Sequence, residues 1–413
     1  MVRLSSRACA RPASLAAFAV LVVSCAGAPA REQVRARPAS RPRIPEDVLQ
    51  RNGLETVWYF PSEGKDNPVQ MAELTPEGLF VATAPGDTRG RLTLLKRASG
   101  SVDWTFPLEH ALRSPPSVYR YPSGVVGAED EVYFAQLDKV HCLSLKYGHE
   151  LWSADMPHSV STRVVADELN FFFGSDNGRV YGMRKKTGVE LWQYRTGGSV
   201  SASPLVHAGN VFFASTDGAL YRLFATAPGW IVGSSWRFET GARITGSPTV
   251  FSRWVLVGSH DYSVYCLEIA DGTRYWSCLA EAPIEGSPCA FSVGSGKEYV
   301  FFVAVERYQR TVRRTLFCVR LQDGREVWRL EGVGKVLSLG KKNLYVLTDA
   351  PRAEDRAIAA IDVEKGQELF RIPAPGFEFI PFNSADSGRD AAERGRIYLV
   401  SRDWTIQAIG EKG

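Results

Sequence analysis

The sequence predicts an all-β fold, a single eight-bladed β-propeller closed by an N-terminal strand. Three observations predict it. A motif of Gly, three residues and an aromatic residue recurs, with the aromatic residues 40 to 52 positions apart. Each complete repeat contains segments typical of four short strands. The last repeat lacks a fourth strand, and the start of the chain contains an additional one. A repeat of this length is typical of a propeller blade.

Eight aromatic residues mark the repeats. Seven of them each end a predicted blade, and one stands before the first blade. Since they recur at equivalent positions, we expect them to pack between neighbouring blades and not to bind a ligand: Trp58, Trp104, Trp152, Trp192, Trp236, Trp276, Trp328 and Phe370.

The repeat that ends at Trp236 shows the predicted strands most clearly. Segments 201–206, 210–215, 219–224 and 235–238 are short and rich in β-branched and aromatic residues. Asp217 and Gly218 stand between the second and third segments, and Asp-Gly is a favoured hairpin turn. The turn carboxylates Asp176, Asp217 and Asp261 recur in this way, so we interpret them as turn residues.

Ring closure is predicted from the two ends of the propeller. The eighth repeat runs from Phe377 through segments 396–400 and 404–409 and then ends. Segment 54–60, which contains Trp58, supplies the missing strand and would remove an exposed sheet edge. Seven blades remain the alternative, because the eighth repeat is poorly marked.

The N-terminus differs from the rest of the chain. Residues 1–24 combine a basic start with an apolar run of eleven residues, which is typical of a signal peptide. Small residues before Cys25 resemble a bacterial lipobox, in which Cys25 becomes the acylated first residue. An ordinary signal peptide with an incidental Cys25 is the alternative. Residues 25–45 are predicted to form a disordered Ala/Pro/Arg tether, and residues 46–413 the propeller.

The N-terminal region and the propeller differ in the sign of their net charge. The chain carries a net charge of +4, and residues 1–45 contain eight Arg and one Glu. The propeller therefore carries +4 − 7 = −3, so a basic nucleic-acid footprint is not expected on it. Cys266 and Cys278 lie on neighbouring predicted strands, and whether they form a disulfide is left open.

The copies at 187–192, 271–276 and 323–328 resemble the PQQ-type propeller repeat, and the resemblance covers residues 50–413. Together with the lipobox and the tether, the chain resembles the BamB family. That family implies an outer-membrane lipoprotein, anchored on the periplasmic face, that contacts protein partners of the β-barrel assembly machinery. Membrane contact is then expected through the lipid anchor only.

Quinoprotein dehydrogenases use the same repeat, and their pattern includes two adjacent Cys beside the PQQ. No two Cys are adjacent here, and the six His show no metal-ligand spacing. We therefore predict no catalytic residues, no cofactor and no metal. A quinoprotein-type enzyme and a ligand-sensing propeller unrelated to assembly remain as alternative functions.

One segment departs from the repeat. In the sixth blade, residues 304–315 replace a short turn and are predicted to form a long hairpin end. Arg and Tyr are enriched in interface hot spots, so the candidate partner-binding residues are Arg307, Tyr308, Arg310, Arg313 and Arg314. A solvated hairpin end without a partner is the alternative.

The anchor can be tested by Cys25→Ser. Without acylation, the protein should become soluble or remain held by an uncleaved signal peptide, because several acyl chains are needed for stable anchoring. Outer-membrane fractions of cells that express each form measure this. If the variant fractionates with the outer membrane as the unaltered protein does, the lipobox interpretation is wrong.

Overall fold

The structure is a computed structural model that describes residues 42–412, except 62–66, 124, 126, 227–234, 294–295, 310, 351 and 385–392. The predicted signal peptide, Cys25 and nearly all of the predicted tether lie outside the described residues. Residues 41–413 form one compact unit. Within the described part, 32 strands form eight four-stranded sheets, so the chain is an eight-bladed β-propeller.

The chain order of the elements follows the predicted repeats. The first elements are α1 (Glu46–Arg51) and β1 (Leu54–Phe60). Blade 1 consists of β2 (Val69–Leu74), β3 (Leu79–Thr83), β4 (Gly90–Leu95) and β5 (Val102–Leu108). Blade 2 consists of β6 (Ser117–Tyr119), β7 (Glu131–Gln136), β8 (Lys139–Ser144) and β9 (Glu150–Asp155). Blade 3 consists of β10 (Val165–Ala166), β11 (Asn170–Ser175), β12 (Arg179–Arg184) and β13 (Glu190–Arg195). Blade 4 consists of β14 (Leu205–His207), β15 (Asn210–Ala214), β16 (Ala219–Phe224) and β17 (Trp236–Glu239).

The second half of the ring continues in the same order. Blade 5 consists of β18 (Thr249–Phe251), β19 (Trp254–Gly258), β20 (Ser263–Glu268) and β21 (Arg274–Leu279). Blade 6 consists of β22 (Cys289–Val293), β23 (Lys297–Tyr308), β24 (Thr311–Arg320) and β25 (Glu326–Glu331). Blade 7 consists of β26 (Val333–Leu339), β27 (Asn343–Thr348), β28 (Ala357–Asp362) and β29 (Glu368–Pro373), with a short 3-10 turn at Ala353–Asp355. The last strands are β30 (Phe377–Phe379), β31 (Ile397–Ser401) and β32 (Ile406–Glu411).

The eighth blade joins the two ends of the chain. Its strand order is β1-β32-β31-β30, and β1 pairs antiparallel with β32 so that Trp58 stands opposite Ala408. The predicted closure by the N-terminal strand is therefore confirmed, and the seven-bladed alternative is wrong. Trp404, which the sequence placed in the last strand, lies in a turn at φ 70°, and β32 begins two residues later.

The hydrophobic core consists of eight separate clusters, each enclosed by two neighbouring blades. The cluster between blades 8 and 1 contains Trp58 together with residues such as Val81 and Tyr398. Each blade therefore packs against both of its neighbours around the ring.

A repeated contact between the aromatic residue and a Gly of the next blade fixes most junctions. The Trp58 ring lies against Gly100, where a Cβ would come within 2.3 Å of it, and Gly100 has φ +69°. The Trp58 indole N–H donates to the carbonyl of Arg97, three residues before that Gly, at 2.7 Å. The same pair of contacts recurs at Trp104, Trp236, Trp276 and Trp328, and Trp192 donates in the same way to Ala225.

The junction between blades 2 and 3 lacks this contact. Trp152 is only partly buried, and its indole N–H makes no hydrogen bond to any described residue. A Cβ on Gly188 would meet Ala154 and Met156 instead of the Trp. The residue three positions before Gly188 is Lys185, where other blades carry residues such as Leu145 or Ile269. Trp152 still packs between blades 2 and 3, against Tyr133 and Phe171, as the sequence predicted. What this junction lacks is the close approach to Gly and the indole hydrogen bond.

The folded unit begins earlier than the sequence indicated. Ile44 is 2% exposed, and its backbone N–H and carbonyl both bond to the Gln407 side chain, at 2.8 and 3.0 Å. Leu49 of α1 is also fully buried, in the cluster between blades 7 and 8. The tether was expected to extend to residue 45 and to bury almost nothing. The sequence did not indicate the burial of Ile44, because Ile44 is an isolated apolar residue and its partner, Gln407, is 363 positions away.

Trp58→Ala should destabilise the fold by about 3–5 kcal/mol, as other buried large-to-small changes do. Trp152→Ala should cost less, because the Trp152 indole N–H makes no hydrogen bond that could be lost, and such a bond contributes about 1 kcal/mol. Urea unfolding of both variants measures the difference.

Deleting the closing strand gives an independent check. A chain that starts at residue 62 should aggregate or fold poorly, because the edge of β32 becomes exposed, whereas a chain that starts at residue 42 should be stable. Equal, cooperative melting of the two chains would contradict closure by β1.

Candidate functional site

The predicted long hairpin is present in blade 6. Strands β23 and β24 are 12 and 10 residues long, whereas the corresponding strands of blade 5 have 5 and 6 residues. The two strands stay paired to Tyr308 and Thr311, and Arg310 in the connecting turn lies outside the described residues. The hairpin therefore projects from the end of the blades at which the second and third strands of each blade connect.

Two ion pairs hold the hairpin on opposite sides. The Arg307 guanidinium donates two hydrogen bonds to Glu285, at 2.9 and 2.7 Å, and Glu285 lies in the loop between blades 5 and 6. Arg314 pairs with Asp349, which follows β27 in blade 7. These two ion pairs, the hairpin braces, connect blade 6 to both of its neighbours. The hairpin is therefore positioned before any partner binds, which lowers the entropic cost of binding.

The Arg307 brace affects the protonation of its carboxylate. Hydrogen bonding from Arg307 holds the pKa of the Glu285 carboxyl below its ordinary value of 4.5. A carboxyl whose pKa is lowered by folding stabilises the folded state above its ordinary pKa. The contribution of the brace is therefore complete above pH 4.5 and is lost as the pH falls through the lowered value.

Only part of the predicted contact set remains free. Tyr308 is 68% exposed, and Arg313 forms no ion pair with any described residue. Glu306 stands opposite Arg313 and Tyr308 opposite Thr311, so these side chains share one face of the hairpin. Arg307 and Arg314, which the sequence grouped with them, lie on the other face and serve as braces. Their partners are 22 and 35 residues away, so spacing alone could not reveal the pairing.

A groove runs beside the hairpin on the side of blade 7. It has a volume of about 580 Å³ and is lined by hairpin residues, including Tyr308, Val312 and Arg313, and by Glu331, Gly332 and Asp349. Val312 is 39% exposed. The groove thus combines apolar surface with a cation that forms no ion pair within the described part of the chain.

A second polar cluster, which the sequence did not suggest, lies at the irregular junction of blades 2 and 3. The Lys185 ammonium donates to Glu131 at 2.6 Å, and both side chains are 6% exposed. The ammonium also lies 4.0 Å from the Tyr119 ring centroid and 5.1 Å from that of Tyr121. Burial lowers the pKa of Lys185. Because Lys185 already occupies the space between the rings, the cluster is a structural contact between blades.

Charged side chains also lie among the innermost segments of the ring. Arg163, before β10, pairs with Glu73 of β2, and so connects blade 3 with blade 1. Lys335 of β26 donates to the carbonyl of Ile380 at 3.2 Å, and burial lowers its pKa. The Arg163–Glu73 pair thus crosses between blades that are not neighbours along the chain, whereas the Lys335 contact joins the neighbouring blades 7 and 8.

Cysteine and histidine residues take structural positions. Cys266 stands opposite Trp276, and Cys278 opposite Val264, so the two Cys are not opposite each other, and both are free thiols. Burial raises the pKa of Cys266 to about 12. His141 pairs with Glu150 at 2.7 Å.

The described residues offer neither a metal-binding cluster nor a membrane-spanning helix. They contain no group of three or more His, Cys, Asp or Glu that could hold a metal ion. The described part of the chain also contains no helix that is long and apolar enough to cross a membrane.

Comparison with known proteins supports the repeat. A family model described as outer membrane protein assembly factor BamB matches residues 136–227, which lie in blades 2 to 4. The chain is a PQQ-like repeat propeller that resembles BamB. No curated protein sequence matches it.

Solved structures share the fold across the ring. BamB from Moraxella catarrhalis has a TM-score of 0.61 and 14% identity, covering 86% of this chain and 99% of that one. The computationally designed Ika8 protein has a TM-score of 0.56 and 13% identity, covering 86% and 99%. A quinohemoprotein alcohol dehydrogenase from Pseudomonas putida has a TM-score of 0.58 and 9% identity, covering 87% and 76%. At these identities the similarity shows the fold alone.

The braces can be tested by Glu285→Gln. This change should free Arg307 and raise the rate of trypsin cleavage in the hairpin several-fold at neutral pH, with little change in the unfolding free energy. Glu306→Gln is the matched control, since Glu306 forms no ion pair with any described residue and its replacement should leave cleavage unchanged. Equal cleavage rates for the two variants would show that the Arg307 pair does not restrain the hairpin.

Proposed function

We propose that this chain is a non-enzymatic, lipid-anchored scaffold on the periplasmic face of the outer membrane, where it holds a protein partner in β-barrel assembly. The observation that carries the proposal is the match of residues 136–227 to the BamB family model. The closed eight-bladed ring and the lipobox-like sequence before Cys25 support it.

The proposed arrangement along the chain follows from charge and burial. A signal peptide would occupy residues 1–24, and acylated Cys25 would begin the mature protein. The tether would end before Ile44, which is buried in the propeller. Since the propeller is acidic and the tether basic, the membrane would be contacted by the acyl chains, with the tether Arg residues beside anionic headgroups.

The proposed partner contact is the free face of the hairpin in blade 6. Tyr308 supplies an exposed aromatic ring, and Arg313 a guanidinium that pairs with no carboxylate among the described residues. These residue types dominate the energetics of protein interfaces. The braces add rigidity without using either side chain. Arg310 belongs to the proposal on its sequence position alone, because it lies outside the described residues.

The double variant Tyr308→Ser/Arg313→Ser should reduce recovery of the partner in a mild-detergent pull-down followed by mass spectrometry. Its melting temperature should hardly change, because surface substitutions usually shift stability by less than about 0.5 kcal/mol each. The recovered proteins should include outer-membrane or barrel-assembly components.

Lys146→Ser/Tyr147→Ser is the matched control. Tyr147 is 57% exposed with the Lys146 ammonium over its ring, and both lie in the turn between β8 and β9, at the opposite end of the blades. Equal partner recovery from both double variants would remove the hairpin from the proposal. Recovery of partners from other compartments only would contradict the role in assembly.

A further inference from the structure

Part of the outer edge of β24, in the blade 6 hairpin, has no described strand beside it. Strand β25 pairs with β24 only from Thr315 onward, opposite Glu331, and the chain then turns away at Gly332. The Arg314 carbonyl still accepts from the Gly332 N–H, and residues Thr311–Arg313 project beyond this last contact with the neighbouring strand. This stretch is the open edge of β24.

Hydrogen bonds at the base of the hairpin show which groups point outward along this edge. The Val305 N–H donates to Pro283 at 2.8 Å, outside the hairpin, and its cross-strand neighbour Arg314 accepts from the Gly332 N–H at 2.8 Å. Backbone groups alternate in direction along an antiparallel strand. The N–H and carbonyl of Val312, two residues from Arg314, therefore also point away from β23, into the groove.

The groove offers room for one extended chain. Neighbouring strands lie about 4.8 Å apart, so a strand that bonds to Val312 would lie in line with β25 and fill the groove of about 580 Å³. Gly332, whose N–H already bonds to the Arg314 carbonyl, would lie at one end of that strand, and Asp349 also lines the groove.

The side chains of the open edge define what such a strand would carry. A residue directly opposite Val312 shares its face, where Val312 is 39% exposed, so an apolar side chain fits there. The next residues lie on the other face, beside Arg313, whose guanidinium forms no ion pair with any described residue. Glu306 stands opposite Arg313 on that face, so a carboxylate of the added strand would share the Arg313 guanidinium, which has five N–H donors, with Glu306.

We infer that the open edge of β24 binds one extended segment of a protein partner by strand addition, in which apolar residues facing Val312 alternate with carboxylates beside Arg313. The inference rests on the proposed function and specifies which backbone and side-chain groups of the partner would contact the hairpin. Strand addition takes its affinity from main-chain hydrogen bonds and its specificity from alternate side chains.

Other outermost strands of the ring carry charged side chains that oppose strand addition. The outermost strands β17, β25 and β29 carry ion pairs along the strand: Arg237–Glu239, Arg329–Glu326 and Arg371–Glu368. Charged side chains on an edge strand discourage pairing with another chain. The open edge of β24 instead has Thr311, Val312 and one unpaired Arg, beside a groove.

The test uses the purified propeller and a fluorescent six-residue peptide in which valine alternates with glutamate, measured by anisotropy. Val312→Pro removes the outward N–H, which takes no part in pairing with β23, and also fixes φ. Pro is tolerated at such edge positions. This variant should bind about tenfold more weakly. Val312→Ala, which keeps the N–H, should bind within about threefold of the unaltered protein. Arg313→Glu should lose the glutamate peptide and bind a matching peptide with lysine instead.

Three outcomes would overturn strand addition: no binding by the unaltered protein, equal binding by Val312→Pro and Val312→Ala, or no effect of charge reversal. Should Val312→Pro fail to fold, a peptide methylated at its central valine amide replaces it and should bind about tenfold more weakly. If the pull-down depends on Tyr308 and Arg313 but not on Val312→Pro, the proposed function stands and strand addition is wrong. If neither change matters, both are wrong.

Discussion

The contact between a Trp of one blade and a Gly of the next is the constraint on which the ring depends. At Gly100 a Cβ would lie 2.3 Å from the Trp58 ring, so only Gly allows the ring to approach, and its positive φ also favours Gly. The indole N–H then satisfies a carbonyl of the next blade at 2.7 Å. Because the contact acts across junctions, it also joins the N-terminal strand to blade 1. Closure of the ring thus uses the same chemistry as every regular junction.

The junction of blades 2 and 3 shows what happens when the contact is absent. Trp152 has no carbonyl partner among the described residues. Lys185, at the position that supplies the carbonyl acceptor in the regular junctions, instead forms a buried ion pair with Glu131. A buried ion pair gains little net stability, because desolvation offsets its attraction, yet removing one partner leaves an uncompensated charge. The three Tyr rings around Lys185 reduce that desolvation cost. This junction keeps its buried apolar cluster and adds electrostatic and ring contacts at the position where the regular junctions have the Trp–Gly contact.

Local sequence patterns predicted the strands and the number of blades, which follow from the repeat. They did not predict the contacts between residues that are far apart in the chain. The strands Ala219–Phe224 and Leu54–Phe60 and the blade count followed from the spacing of Gly, Trp and turn residues. The burial of Ile44 did not, because Gln407 lies at the other end of the chain. The hairpin was visible as a departure from the repeat, but its division into braces and free residues was not. Glu285 and Asp349 lie in inter-blade and turn segments whose positions only the closed ring determines.

In a repeat protein, the residues that hold the fold together can be separate from the few residues that bind a partner. Most side chains of each blade serve the two junctions, so the regular part of the ring has little freedom to acquire binding residues without losing a contact. An insertion such as 304–315 adds surface without disturbing any junction. Its rigidity comes from carboxylates on blades 5 and 7, which exist in the right place only because the ring is closed. The stability of the ring thus positions Tyr308, Val312 and Arg313 as a rigid surface, and partner recognition can change while the fold is preserved.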